Sequence, residues 1–236
     1  MTYVPDEADA PGAPVPHERA GSRRALGCAF EIVETLVLTL LIYLVIHNFV
    51  AQPFEVQQTS MFPTIVNGEY ILIDKLTTRF DGYHYGDIIV FEPPGDSGLD
   101  TDGVPFIKRI IGMPGDTVSL EHGRVFITRP GEPAVRIEEP YVVTQADGTT
   151  AATLPRDAQG TTTWTVGQNE YFVMGDNRPS SQDSRAFGPI SKDLILGRAW
   201  LRYFPLDRIT LFERPSYPAL EGGRTGLRLV SLPAAA

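Results

Sequence analysis

Hydrophobic and polar positions divide the chain into three stretches. Residues 1–22 are rich in Pro, Ala, Gly and acids and offer little to bury, so they are expected to be a disordered tail. From Phe30 to Val50 the chain reads FEIVETLVLTLLIYLVIHNFV, and residues 35–54 carry no formal charge. Roughly 20 mostly apolar residues in a helix cross a bilayer. The pattern predicts a transmembrane anchor over residues 27–51, with Glu31 and Glu34 near its start, where they can reach the interface. The alternatives are a buried helix of a soluble domain and a cleavable signal peptide. Against the second, Phe49-Val50-Ala51 sets a bulky residue at the -3 position.

Beyond residue 51 the apolar runs shorten. Tyr70-Ile71-Leu72-Ile73, Asp87 to Phe91, Lys108 to Ile111, Thr117 to Leu120, Arg124 to Ile127 and Tyr171 to Met174 are β-rich and separated by Gly, Pro and Asp. They predict strands of a mainly β domain with coiled, packed sheets. A helical period is expected only near Ser191 to Leu196. Residues 93–104 read as a loop. Residues 128–168 hold many Thr, Gly, Pro and Asp, so about 115–168 is expected to be an insertion between two halves of a core. Residues 211–236 look peripheral.

Charge and composition sharpen this picture. Arg19, Arg23 and Arg24 precede the apolar segment, and no Lys or Arg follows it until Lys75. The positive-inside rule then places residues 1–26 in the cytoplasm and residues 52–210 outside the cell membrane, on a single-pass topology. A net charge of -9 argues against nucleic acid as partner. Cys28 is the only cysteine, so no intrachain disulfide can form. Ala25-Leu26-Gly27-Cys28 is similar to a lipoprotein box but lies before the apolar run rather than after it. Four histidines and one cysteine show no ligand spacing, and Asp96 to Gly103 lacks the order of a calcium loop, so no metal or other cofactor is expected.

Candidate chemistry centres on Ser60, in Gln58-Thr59-Ser60-Met61-Phe62-Pro63-Thr64, and on Lys108, in Phe106-Ile107-Lys108-Arg109-Ile110-Ile111-Gly112. A serine hydroxyl needs a base to become a nucleophile. His84 and His122 lack a recognisable serine context. A lysine can serve if burial lowers its pKa towards neutrality. On a strand Phe106, Lys108 and Ile110 share one face, which surrounds the ammonium with apolar groups while Arg109 points the other way. Met61 and Phe62 beside Ser60 suit a site at a membrane surface, where both could dip into lipid.

Together with Gly175-Asp176-Asn177-Arg178-Pro179-Ser180-Ser181-Gln182-Asp183-Ser184-Arg185, these blocks occur in the order found in type I signal peptidases, which the chain resembles over roughly residues 30–205. The resemblance implies a coiled β-sheet catalytic domain of signal-peptidase and repressor-protease type, with an inserted β subdomain and one preceding transmembrane helix. It implies a membrane-anchored serine endopeptidase that removes signal peptides from exported preproteins, cutting after Ala-x-Ala-like small residues. Ser60 would be the nucleophile, Lys108 the general base and Ser181 the lysine-orienting serine, with Ser180 next to it. Arg109, Asp176, Asp183 and Arg185 would be ion-pair residues near the site, and Gly175 and Asn177 would shape the turn. The Ser60 N–H would open the oxyanion hole; the second donor is Gln58 or Thr59, since the hydroxyl residue some relatives carry two before the nucleophile is here Gln58. Phe54 and Val56 would line pockets for the -1 and -3 side chains, with plain core packing as their alternative. The partners implied are exported preproteins, the lipid bilayer and the protein-export machinery. Two other readings are a self-cleaving Ser–Lys relative and a non-catalytic, membrane-anchored peptide-binding module.

Overall fold

A computed structural model describes residues 20–45, 51–95 and 103–221. The expected tail up to residue 19, residues 46–50 of the expected anchor, the centre of the 93–104 loop and residues 222–236 lie outside the described residues. The chain divides into two units, Met1–Val45 and Ile46–Ala236.

The first unit contains α1 (Ala20–Val45). Its side chains from Phe30 to Leu44 are all exposed, including Leu36, Leu40, Leu41 and Ile42. Thr35 is accommodated by donating from Oγ1 to the Glu31 carbonyl one turn earlier, at 2.8 Å. Among the described residues no helix is long and apolar enough to cross a membrane.

The second unit is mainly β and antiparallel. Its larger sheet joins β1 (Ala51–Glu55), β2 (Tyr70–Asp74), β3 (Ile88–Phe91), β4 (Phe106–Gly112), β9 (Glu170–Met174), β10 (Ile190–Ser191), β11 (Ile195–Phe204) and β12 (Thr210–Leu211). The order is β1-β2-β11-β3-β4-β9-β10, with β12 also on β11. A second sheet, ordered β7-β6-β5-β8, is made by β5 (Thr117–Glu121), β6 (Arg124–Thr128), β7 (Val135–Arg136) and β8 (Thr163–Thr165). It falls within the stretch expected to be an insertion.

All four residues of β3 and all seven of β4 are buried. Both strands are covered on both faces, which is why they read as continuous apolar runs rather than as alternations. Alternate side chains feed two cores. Ile88, Val90 and Ile107 join Val56, Met61, Ile65, Ile71 and Ile73 on one face. Ile89, Phe91, Phe106 and Ile110 join Tyr171, Val173 and Ile190 on the other. A third core, with Val118, Val125, Ile127 and Phe172, lies under the second sheet.

Two expectations change. The helix expected near 191–196 is a single 3₁₀ turn, Lys192–Leu194, capped by the Ser191 hydroxyl; β11 follows at once. Gly197 lets β11 press against β2: a Cβ there would meet Ile73 Cγ2 at 2.5 Å and the Asp74 carbonyl at 2.8 Å. Residues 211–221, expected to be peripheral, instead supply Leu211 to β12 and Tyr217 and Leu220 to the third core. Tyr217 also hydrogen-bonds Tyr141 through its hydroxyl, at 2.8 Å.

Candidate active site

Three segments converge on one point: the loop after β1, strand β4 and the loop after β9. The first loop is closed at its base by Val56 N–H to the Glu69 carbonyl (2.9 Å) and Gly68 N–H to the Val56 carbonyl (2.7 Å). Met61 and Ile65 plug it into the core, both with no exposed surface. Met61 therefore cannot dip into lipid, as its position beside Ser60 had suggested; only Phe62 remains half exposed, at 45%. The glutamate that ends the loop, Glu69, is buried and paired with Arg202 (3.0 Å) and Arg208.

Asp176 and Asn177 tie the first loop to the third segment. Asn177 donates its N–H to the Ser60 carbonyl (2.9 Å) and its side-chain amide to the Thr59 carbonyl (3.1 Å). Asp176, fully buried, accepts from Thr64 Oγ1 at 2.5 Å and from Arg109 through two bonds of 2.9 and 2.7 Å. Burial acts against the Arg109 charge, but Asp176 outweighs it and pushes the guanidinium pKa up. Arg109 also donates to the Gly86 carbonyl and lies 4.0 Å over the Tyr141 ring.

Lys108 sits opposite Ile89 on β3, where it is 1% exposed. Its Nζ is 2.8 Å from Ser60 Oγ and 2.9 Å from the Ile107 carbonyl, with Gln58 Oε1 at 3.5 Å and the Phe106 ring centre at 4.8 Å. Burial lowers its pKa from 10.5 to about 8, against the opposing pull of the Asp183 carboxylate. Ser60 is itself 5% exposed. Its backbone N–H has no hydrogen-bond partner among the described residues. A hydroxyl beside an amine that is readily neutral, next to a free backbone donor, is a geometry suited to acyl transfer.

Ser181 and Asp183 are fully buried behind the pair, whereas Ser180 is exposed. Burial alone would raise the Asp183 pKa; two bonds from Arg185, at 2.8 Å each, and the Gly175 N–H at 3.0 Å hold it below the ordinary carboxylate value. Ser181 Oγ makes no hydrogen bond of good geometry, though it is near enough to Asp183 to favour the carboxylate. Gly175 is the contact point of the loops. A Cβ there would stand 2.3 Å from Ser181 Oγ and 2.4 Å from the Ser60 carbonyl, so only glycine lets the two approach.

An open groove of about 370 Å³ runs past the pair, lined by Gln58, Thr59, Ser60, Lys108, Ser180 and Gln182 among others. Cavities of about 360 and 500 Å³ lie elsewhere, beside Arg136 and beside Tyr85, and neither is lined by Ser60 or Lys108. Phe54 and Val56 share a face, as alternation predicts, but they face the core and are not among the groove walls; Val56 is 1% exposed. Gln58 turns Oε1 towards Lys108 and Nε2 towards the Pro105 carbonyl at 3.5 Å. His84 stands apart, 3.9 Å from both Asp81 and Asp87. Among the described residues no three His, Cys, Asp or Glu side chains could together hold a metal ion.

Several residues around the site went unassigned in the sequence. Thr64, Glu69 and Arg202 brace the first loop. Arg178, within the third block, is fully buried and bonded to Glu139 and Thr153. Only Arg178 carried a signal, by lying inside a recognised block; its partners are 39 and 25 residues away.

Comparison with known proteins gives concordant matches. The family described as "Signal peptidase, peptidase S26" matches residues 29–204. The "Probable signal peptidase I-1" of Synechocystis sp. is 35% identical over 181 residues, covering 75% of this chain and 84% of that protein. The "Signal peptidase I" of Leptolyngbya laminosa is 32% identical over 217 residues, covering 89% and 98%. A crystal structure of a signal peptidase I from Enterococcus faecalis is 29% identical, with a TM-score of 0.36 over 49% of this chain and 95% of that one.

Proposed function

The chain belongs to the signal peptidase family, peptidase S26, serine endopeptidases that remove signal peptides, and on that premise we propose that it does so with Ser60 as nucleophile and Lys108 as general base. The observation that carries this assignment is the buried Lys108 Nζ at 2.8 Å from Ser60 Oγ.

A preprotein lies extended along the groove with the carbonyl of its small -1 residue at Ser60, main-chain bonds giving affinity and shallow pockets giving selection. Ser60 Oγ attacks that carbonyl as its proton passes to the neutral Lys108 amine. The oxyanion is met by the Ser60 N–H and, since Gln58 is turned to Lys108 and Pro105, by the Thr59 hydroxyl. Lys108 returns the proton to the leaving amine, which departs as the new N-terminus of the mature protein. The ester left on Ser60 is then cleaved by a water that Lys108 deprotonates, releasing the signal peptide. In this reading Ser181, whose Oγ makes no hydrogen bond of good geometry among the described residues, turns that hydroxyl to Lys108 to orient the amine, and the Asp183–Arg185 pair shapes the loop that carries it.

Residues 27–51 act as the anchor, with the N-terminus cytoplasmic and the catalytic domain on the outer face. Lipid contact falls to Phe62 and to the exposed Trp200, Phe204, Leu206, Ile209 and Leu211, grouped along β11, β12 and the turn between them. Arg202 binds that strand to the Ser60 loop by donating to the Thr64 carbonyl at 3.1 Å. The protein-export machinery is the upstream partner that delivers the substrate.

The test is cleavage of a detergent-solubilised preprotein with an Ala-x-Ala site. Wild type should cut after the small residue, and Ser60→Ala and Lys108→Ala should both be inactive. A Lys108→Ala enzyme that still cuts would move the base elsewhere. A wild type that binds preproteins without cutting them would favour the peptide-binding module.

A further inference from the structure

The loop that carries Ser181 is held from outside the larger sheet. Arg178, inside that loop, has no exposed side-chain surface and donates to Glu139, to Thr153 Oγ1 and, at 3.0 Å, to the Gly175 carbonyl. Arg156 reaches the same loop from the surface, donating to the Ser181 carbonyl at 3.3 Å and to the Pro179 carbonyl. Arg185 donates to the Leu154 carbonyl at 3.1 Å, and the Val143 N–H donates to the Asp176 carbonyl at 3.0 Å. Glu139, Val143, Thr153, Leu154 and Arg156 all belong to the long connection between β7 and β8, within the second-sheet segment.

We infer that this connection, residues 139–156, sets the position of the Ser181 loop against Lys108, with Glu139 and Arg156 as its positioning residues. The inference rests on the Ser60–Lys108 assignment proposed above. The physical link is exclusion of water. The 175–183 loop backs directly onto Ser60 at Gly175 and shields an amine that is 1% exposed. The charged group acting on that amine is Asp183, itself neutralised by Arg185. Ser60, Gln58 and Ser181 are uncharged, and β3 contributes no ionisable side chain; on β9 the titratable side chains are Glu170, which accepts from the Gly167 N–H, and Tyr171, which packs edge-on against Tyr83 and whose hydroxyl pKa burial pushes up. Arg109, next in β4, is paired with Asp176. Freeing the loop therefore mainly wets Lys108, and wetting returns its pKa towards the ordinary lysine value.

Full-length protein in detergent decides this with wild type, Glu139→Gln, Arg156→Gln and the conservative Glu139→Asp and Arg156→Lys. Arg156 is exposed, so Arg156→Gln tests the point without burying a defect. Two readouts are taken across pH 6 to 11: kcat and KM on an Ala-x-Ala peptide, and trace acetylation of Lys108 followed by mass spectrometry. The acidic limb of kcat should move up by about half to one unit relative to wild type, with kcat on that limb falling about three- to tenfold and KM unchanged. The acetylation midpoint should move with it, and the conservative variants should restore part of both. A lowered Tm with the limb and the midpoint unmoved would overturn the inference and leave these residues merely structural. If Lys108→Ala still cleaves, the dyad assignment falls, and the acetylation midpoint alone decides the coupling.

Discussion

Lys108 as a buried amine makes this protein less stable than its fold allows, and Lys108→Met should expose the difference. Lys108 keeps a pKa of about 8 in the folded chain against 10.5 when solvated. The gap is worth about 3 kcal/mol, at 1.36 kcal/mol per unit. Because the folded value is the lower one, the unfolded chain binds the proton more tightly. The penalty is complete below pH 8, relieved between pH 8 and 10.5, and gone above. Methionine fills similar space without a charge, but it gives up the bonds to Ser60 Oγ and the Ile107 carbonyl, at roughly 1 kcal/mol each. Lys108→Met should therefore be about 1–2 kcal/mol more stable than wild type at pH 7, a rise in Tm of roughly 4 °C for a domain of this size. The advantage should vanish or reverse by pH 10.5. Urea unfolding of both proteins at a series of pH values measures the difference directly, since titrations common to both cancel. Activity should be lost throughout. A stability difference that stays constant from pH 7 to 10.5 would refute the claim that Lys108 is held against its charged form. Function has its counterpart: at pH 7 a pKa of 8 leaves about 9% of the amine neutral, some 300-fold more than an ordinary lysine.

Three further outcomes follow from the geometry. Gly175→Ala forces a methyl against the Ser60 carbonyl and Ser181 Oγ; cleavage should fall at least about 100-fold, with Tm lowered, in a peptide assay paired with thermal unfolding. Asp176→Ala leaves Arg109 charged and buried with no carboxylate, and should cost about 3–5 kcal/mol in urea unfolding at pH 7, far more than loss of an exposed ion pair such as Arg136–Glu138. Met61→Ala should destabilise by about 2–5 kcal/mol without changing the vesicle binding of the anchorless domain, residues 52–236, whereas the combined Leu206→Ser and Ile209→Ser change should weaken flotation of that anchorless domain with vesicles and spare its Tm.

Legibility differed element by element for identifiable reasons. β2, β3, β4, β5, β6 and β9 are short apolar runs between Gly, Pro and Asp, so local pattern alone marks them. β11 carries Gly197, Arg198 and Arg202, which break the alternation; it is a strand because β2 and β3 flank it and supply partners more than 100 residues away. Met61 looked like a lipid contact because an apolar residue beside a polar site reads the same whether it meets lipid or core. Its neighbours Val56, Ile65 and Ile71, brought in by folding, decide for the core. The order of the blocks, the choice of Ser60 and Lys108 as candidates, the mainly β character and the sign of the charge could all be read along the chain, because these depend on residue type and local spacing. The tertiary structure alone decided the 2.8 Å contact between Lys108 and Ser60, the burial that takes the lysine to a pKa near 8, and the grip of Glu139 and Arg156 on the Ser181 loop. Desolvation and pairing across 25 to 48 residues depend on what surrounds a group in space, and no local pattern encodes that.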